Sequence, residues 1–529
     1  MSITSYSFLL FAGLLLLLYY LIPRRFQWCL LLAASYGFYA FSGVRYLGYI
    51  LASTLCTYGA SRKIGGLKEH QDLFLKENKA ILDREDRKFY KASIKKRQRR
   101  WLCLALVFNF GILAVIKYGN FVVSNVGALF GASGNDRFFR LALPLGISFY
   151  TFQTAGYLID LYRDEYPPEK NLFRFALFVS FFPQLIQGPI SRFGSLSGEL
   201  SAPHSFDRRQ VAFGLQRMLY GYFKKMVIAD RILAGLTTIS GDPAVYSGSY
   251  AFVGMIFYAV DLYMDFSGGI DIVIGFSQAL GISLPENFKR PYFAVSLKDY
   301  WHRWHITLCN WFKDYVFYPI SASPRLLARA KALKAKGHEG LARRLTVYIG
   351  NLTVWLLTGI WHGAAWNFIV WGLLNGAFLL LAQEMEPVYR KFYARFPGLK
   401  ENRGWLVFRV VRTFLFVSLL CMFDYYADAA VVGQMIVSIF TRFDFSVFFS
   451  GALLKLGLSG TDYAILGLSL LLVFTVSFLQ ERGVSVRERI ASYRLPVRVF
   501  VWYGLFLIVL LFGAYGIGYD ASQFIYNQF

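Results

Sequence analysis

The sequence predicts an all-α polytopic membrane protein of about ten to thirteen membrane helices, some of them short or re-entrant. Three observations carry this expectation. Hydrophobic residues make up 56% of the 529 and aromatic residues 19%, above the roughly 45–50% apolar content of soluble domains. The apolar residues fall in runs near the ~20 that a helix needs to cross hydrocarbon: 7–22, 26–42, 46–60, 101–117, 140–162, 172–190, 210–228, 250–281, 346–384, 405–423, 462–479 and 497–519. Finally, only helices or closed barrels satisfy their backbone in lipid, and these runs lack the alternation of barrel strands.

The first three runs read as closely spaced helices. The basic residues follow the first run instead of preceding it, so it reads as a retained helix and not as a cleaved leader. Residues 61–100 hold fourteen Lys/Arg against six Asp/Glu, and further basic clusters lie at 325–344, 390–412 and 482–498. Each cluster is short and flanks an apolar run, which is the positive-inside pattern. The formal charge of +24 is therefore a membrane signature, and nucleic acid is not expected as a partner. With 61–100 cytoplasmic, three crossings put the N-terminus outside. Apolar residues among the charges of 61–100 suggest an amphipathic helix on the membrane surface. Residues 119–137, with Gly127, Gly131 and Gly134, read as a non-cytoplasmic loop or hairpin. The five cysteines are scattered without CxxC spacing, so neither disulfides nor zinc is indicated.

Polar residues enter the apolar runs in the central third. Phe182-Pro183-Gln184-Leu185-Ile186-Gln187-Gly188-Pro189-Ile190-Ser191-Arg192 combines two prolines and a glycine at membrane depth, which suggests a re-entrant loop. Asp261, Asp265, Ser267-Gly268-Gly269 and Asp271 interrupt another run. A charge at the bilayer centre costs about 3 kcal/mol or more, so such carboxylates face a bundle interior, a cavity or an ion-pair partner, with Lys289 and Arg290 as the candidates.

Two aromatic, histidine-bearing islands follow. The first is Tyr300-Trp301-His302-Arg303-Trp304-His305-Ile306-Thr307-Leu308, continuing through Trp311-Phe312-Lys313-Asp314-Tyr315; the second is Trp361-His362-Gly363-Ala364-Ala365-Trp366-Asn367. On one continuous helix His302 and His305 would share a face, with Asp299 a turn earlier. Without a CxxC pair or an HExxH glutamate this is a weak metal pattern, and no metal is expected. A histidine in an apolar run tends to be neutral, and a neutral imidazole can take a proton from a hydroxyl. With no Gly-x-Ser-x-Gly elbow, the chemistry suggested is direct attack of a substrate hydroxyl on an activated acyl group.

These motifs resemble the membrane-bound O-acyltransferase (MBOAT) family, in the bacterial branch with alginate O-acetylation proteins and the teichoic-acid D-alanylation membrane protein. The resemblance runs from Leu143-Pro144-Leu145-Gly146 through Gly188-Pro189-Ile190-Ser191-Arg192, Asp265-Phe266-Ser267-Gly268 and Pro285-Glu286-Asn287-Phe288, and on through both islands, over roughly 140–380. It implies a bowl of helices around a central tunnel, as one membrane domain over 1–529: N-terminal helices 1–60, the basic cytoplasmic segment 61–100, a catalytic core 140–380 and C-terminal helices 381–529. By the same resemblance His362 is the general base, and His305 positions or polarises the acyl carbonyl. His302, Trp304, Trp311, Asp314, Asn367, Asp265, Ser267, Gln187 and Arg192 would line or support the tunnel. Two departures stand out: His302 occupies a place where arginine is common, and the basic stretch Arg325 to Arg344 replaces a Gly-Gly-Asn-Arg loop after Pro319.

The function so implied is transfer of an acyl group, acetyl first, to hydroxyls of an envelope or exported polysaccharide, directly or through an extracytoplasmic partner transferase, in a bacterial cytoplasmic membrane. The donor would be acetyl-CoA or an acyl carrier protein thioester on the cytoplasmic side, with no tightly bound cofactor; membrane lipid surrounds the chain. One alternative is D-alanyl transfer from a carrier protein towards teichoic acid. A remoter one is a proton-coupled transporter or flippase; it would carry an internal repeat with paired broken helices, and none is visible.

Overall fold

The computed structural model describes residues 1–130 and 143–515. Among them there is no β-strand, and five helices are long and apolar enough to cross a membrane: Arg84–Leu129, Trp366–Glu384, Arg403–Tyr425, Gly460–Glu481 and Leu495–Phe512. Tyr6–Leu21, Leu172–Gln187 and Ala429–Thr441 are shorter apolar stretches. The last was not among the expected runs, because it is far shorter than the ~20 residues used to recognise a crossing. The chain is a multi-pass, all-helical membrane protein. It falls into two compact units, Met1–Gly214 with Phe276–Pro285, and Leu215–Gly275 with Glu286–Phe529.

In the first unit the basic segment is not a separate surface element. Leu47–Glu77 carries the third apolar run straight into it, and Arg84–Leu129 carries the chain back. The second helix has 46 residues, about 69 Å at 1.5 Å per residue. Good helix formers among the Lys, Arg, Glu and Leu let both helices continue past the lipid. The loop expected over 119–137 is helical to Leu129, and 131–137 lie outside the described residues. The two long helices are joined by polar contacts in an apolar interface: Asn109 donates to Thr57 Oγ1 at 3.2 Å and accepts from Ser53.

The irregular stretch around Pro183 also lies in this unit. Leu172–Ser180 stops at Phe181, a short helix Phe182–Gln187 follows, and the chain runs extended to Arg192. Gln184 ties part of the stretch together internally. Gln153 Nε2 donates to Gln184 Oε1 (2.9 Å), and Gln184 Nε2 donates to Pro189 O (3.0 Å) and Ser191 Oγ (2.5 Å). This is how irregular backbone persists in apolar surroundings.

The second unit is organised around Ser249–Ala279. A bent element packs on it: Arg208–Tyr222, a π-helical stretch Phe223–Ala229, then Asp230–Gly241. A Cβ on Gly221 would lie 2.6 Å from Gly268 O, so the crossing depends on glycine there. The wider π turn sets Lys224 and Lys225 side by side against the aspartates of the facing helix. Lys225 pairs with Asp230 (2.7 Å) and with Asp265. Lys224 pairs with Asp271 at 2.6 Å and donates to Ser267 Oγ at 2.8 Å. The partners of Asp265 and Asp271 are therefore Lys224, Lys225 and Arg217 instead of Lys289 or Arg290. Arg290 pairs with Glu481 (2.6 Å).

Candidate active site

The first island is two helices, not one. Ser296 caps Leu297–Arg303 by accepting from the Asp299 N–H at 3.2 Å. That helix ends at Trp304, and His305 takes φ +45 before Ile306–Phe312 begins. A left-handed conformation costs a residue with a side chain about 1–2 kcal/mol, and a short pairing of 287–289 with 303–307 offsets it. Lys289 N–H donates to Arg303 O (2.9 Å) and Ile306 N–H to Asn287 O (3.0 Å). The Asn287 side chain, fully buried, does the rest. Its Oδ1 accepts from Thr307 N–H (3.1 Å) and Thr307 Oγ1 (2.9 Å), and lies 3.2 Å from His305 Nδ1. The expectation that His302 and His305 share a helix face is corrected: the kink buries His305 and leaves His302 exposed.

This geometry also fixes a tautomer. A backbone N–H can only donate, so the Asn287 atom facing Thr307 N is the carbonyl oxygen. An oxygen that only accepts then requires the proton on His305 Nδ1. Neutral His305 is left with a lone pair on Nε2.

The second island forms a tight reversal. Glu339–His362 ends on the histidine, Gly363 is extended, and Trp366–Glu384 runs back. A Cβ on Gly363 would sit 2.3 Å from the Phe368 ring, and one on Gly372 would sit 2.4 Å from Trp355 O. Those glycines let the two helices touch, which brings the Trp371 ring 4.4 Å from that of His362. Trp361 links the islands, its ring 5.3 Å from His362 and 5.7 Å from His305. Phe266 closes the other side of His305 at 5.0 Å.

Both histidines line one narrow cavity of about 20 Å³, room for about one water molecule. Trp304, Tyr300, Trp301 and Trp371 form much of its wall, and Asp424 completes it. The Asp424 Oδ1 is buried without a hydrogen-bond partner. Asp424 was not foreseen; it follows the 405–423 run and reads in sequence as a helix end. Asn287 was quoted only as part of a motif, and its role needs the fold to appear.

The other expected site residues are placed as follows. Trp304 lines the cavity, whereas His302 does not. Trp311 is buried against Tyr315 (5.1 Å), and Asp314 sits half-buried on a π-helical turn, Lys313–Phe317. Asn367 Nδ2 donates to Phe423 O at 2.8 Å, tying the second island to the end of Arg403–Tyr425. Asp265 and Ser267 belong to the lysine pairs described above. Gln187, buried with neither amide atom bonded, and exposed Arg192 belong to the first unit. Among the described residues no group of three or more His, Cys, Asp or Glu is placed to hold a metal ion.

Comparison with known proteins agrees with the chemistry these residues allow. The family model described as MBOAT, membrane-bound O-acyltransferase, matches residues 54–334, a span that takes in the first island and ends before the second. A probable alginate O-acetylase of Azotobacter vinelandii is 33% identical over 411 residues, 76% of this chain and 73% of its own. A peptidoglycan O-acetyltransferase of Helicobacter pylori is 32% identical over 74% of this chain and 70% of its own. A teichoic acid D-alanyltransferase of Bacillus subtilis is 28% identical over 52% of this chain and 66% of its own.

Proposed function

Since the chain belongs to the membrane-bound O-acyltransferase family and is an acyltransferase, we propose that it moves an acetyl group from a cytoplasmic thioester, acetyl-CoA or an acyl carrier protein, to hydroxyls of an envelope or exported polysaccharide, directly or through a partner transferase. The membrane would be a bacterial cytoplasmic membrane. The observation that carries this reading is the meeting of His305 and His362, remote in sequence, on one aromatic cavity.

In the proposed step His362 accepts the proton of the acceptor hydroxyl. The hydroxyl oxygen bonds to the acyl carbon, the carbon–sulfur bond breaks, and the departing thiolate takes up the proton. His305, its Nδ1 proton directed at Asn287, offers a lone pair on Nε2. A neutral ring in that tautomer can orient a donor group on either substrate but cannot donate to the acyl carbonyl, so positioning is its part.

Transfer of D-alanine is the second reading, supported by a relative of lower identity and coverage. Mass spectrometry of envelope polymers from a deletion strain, complemented with the wild-type or His362→Ala protein, tests both. An acetyl increment restored only by the wild type is the expected outcome. An alanyl increment selects the second reading, and no acyl difference overturns acyl transfer.

A further inference from the structure

Acyl transfer drives negative charge onto the carbonyl oxygen, and N–H groups held in advance against that oxygen lower the barrier strongly. The tautomer of His305 excludes its ring from this part. The wall of the histidine cavity contains another donor. Trp301 lines the cavity, and its Nε1 is buried without a hydrogen-bond partner. Buried N–H groups are nearly always paired, so an unmet one in a reaction cavity marks a place where a substrate atom acts. An indole N–H donates only, and it asks for an acceptor oxygen. Asn375, on the same wall, already donates to Trp371 O at 2.9 Å.

The place of this N–H is set by three rings. Trp301 stands on Leu297–Arg303, four positions before His305. Its ring meets Tyr300 at 5.1 Å, Trp355 at 4.6 Å and Trp371 at 5.7 Å, each edge to face. Trp371 is also the ring that packs 4.4 Å from His362. One tryptophan of the second island therefore fixes the donor of the first island beside the general base. The aromatic surroundings lower the local dielectric, where a hydrogen bond to a developing charge is stronger than in water.

We propose that the Trp301 Nε1–H donates to the acyl carbonyl oxygen, which makes Trp301 a catalytic residue of the transfer. The acceptor hydroxyl oxygen adds to the carbonyl carbon while its proton passes to His362. The carbonyl π pair moves onto the oxygen, where the indole N–H stabilises it. The pair then returns, the carbon–sulfur bond breaks, and the thiolate takes the proton from His362. The inference rests on the thioester reading above and holds whether the acyl group is acetyl or alanyl.

Trp301→Phe keeps an aromatic ring in the cluster and removes the N–H. Acyl transfer by the reconstituted protein should lose about tenfold to hundredfold in kcat, with KM within about twofold. A repacked wall would also slow the reaction, so the deciding measurement is spectroscopic. Isotope-edited infrared spectra are taken of His362→Ala protein holding S-acetylpantetheine labelled at its carbonyl carbon, the portion that both proposed donors share. Adding Trp301→Phe should move the bound carbonyl band to higher frequency, as loss of a hydrogen bond does. Adding Trp355→Phe, a change in the same ring cluster outside the cavity, should leave the band in place. A band indifferent to Trp301→Phe, or equally shifted by Trp355→Phe, overturns the proposal, as does wild-type kcat in a folded Trp301→Phe protein. Absence of any bound carbonyl band in the His362→Ala protein itself overturns the thioester reading, and this inference with it.

Discussion

Replacing Asn287 by alanine separates the orientation of His305 from its presence. One oxygen of Asn287 receives three donors: Thr307 N–H, Thr307 Oγ1 and His305 Nδ1. The Thr307 hydroxyl can rotate to another acceptor, but its backbone N–H cannot, and a buried donor left unmet costs about 1–3 kcal/mol. The melting temperature of the purified protein should fall accordingly. The ring loses one hydrogen bond, worth about 1–1.5 kcal/mol, and with it the preference for the Nδ1–H tautomer. The lost hydrogen bond predicts that kcat drops about fivefold to tenfold, since 1.4 kcal/mol is tenfold, with KM within about twofold. Asn287→Asp keeps an acceptor at the same place and should recover most of the stability and part of the rate. The assay is acyl transfer by protein reconstituted in lipid, run beside a thermal melt. Wild-type kcat in a folded Asn287→Ala protein would refute the tautomer argument.

Three further substitutions probe the surroundings. His302→Ala should leave activity within about twofold, because the side chain is exposed and outside the cavity; a loss as large as that of His305→Ala would show that the kink misassigns the pair. Lys225→Met leaves Asp265 and Asp230, 2% and 4% exposed, without their cation, and breaking such a buried pair costs about 3–5 kcal/mol. Expression and melting temperature should fall sharply, and an unchanged melt would show that the pair contributes nothing. Gly372→Ala forces Trp355 O away from a methyl built 2.4 Å from it, an overpacking cost of about 1–3 kcal/mol; acyl transfer should fall more than yield, because the displaced helix carries Trp371 against His362.

Much of the fold was legible because lipid imposes a crude rule: long apolar runs must become helices, as Gly460–Glu481 and Leu495–Phe512 did. Charge hid the remainder. Leu47–Glu77 and Arg84–Leu129 leave the apolar zone without a break, and nothing in local propensity marks where lipid stops. Lys224 and Lys225 fall inside the apolar run 210–228, and only the π turn reveals that they pair with aspartates on the facing helix. The histidine islands stood out by composition, yet equal spacing made His302 look as good as His305. What distinguishes them is the left-handed residue enforced by Asn287, an interaction across eighteen positions that helical periodicity cannot contain. Asp424 stayed hidden because an acid after an apolar run is the ordinary signature of a helix end.

The central claim is that the two islands make a single active centre, and a double-mutant cycle on His305 and His362 tests it most directly. Initial rates of acyl transfer would be measured for wild type, His305→Ala, His362→Ala and the double variant, each checked for membrane insertion. Loss of a general base contributes about 10²–10⁴-fold, and residues that act as a unit are not additive. The double variant should therefore be no more than about threefold slower than His362→Ala alone. Multiplied losses, or substantial activity without His362, would contradict the account.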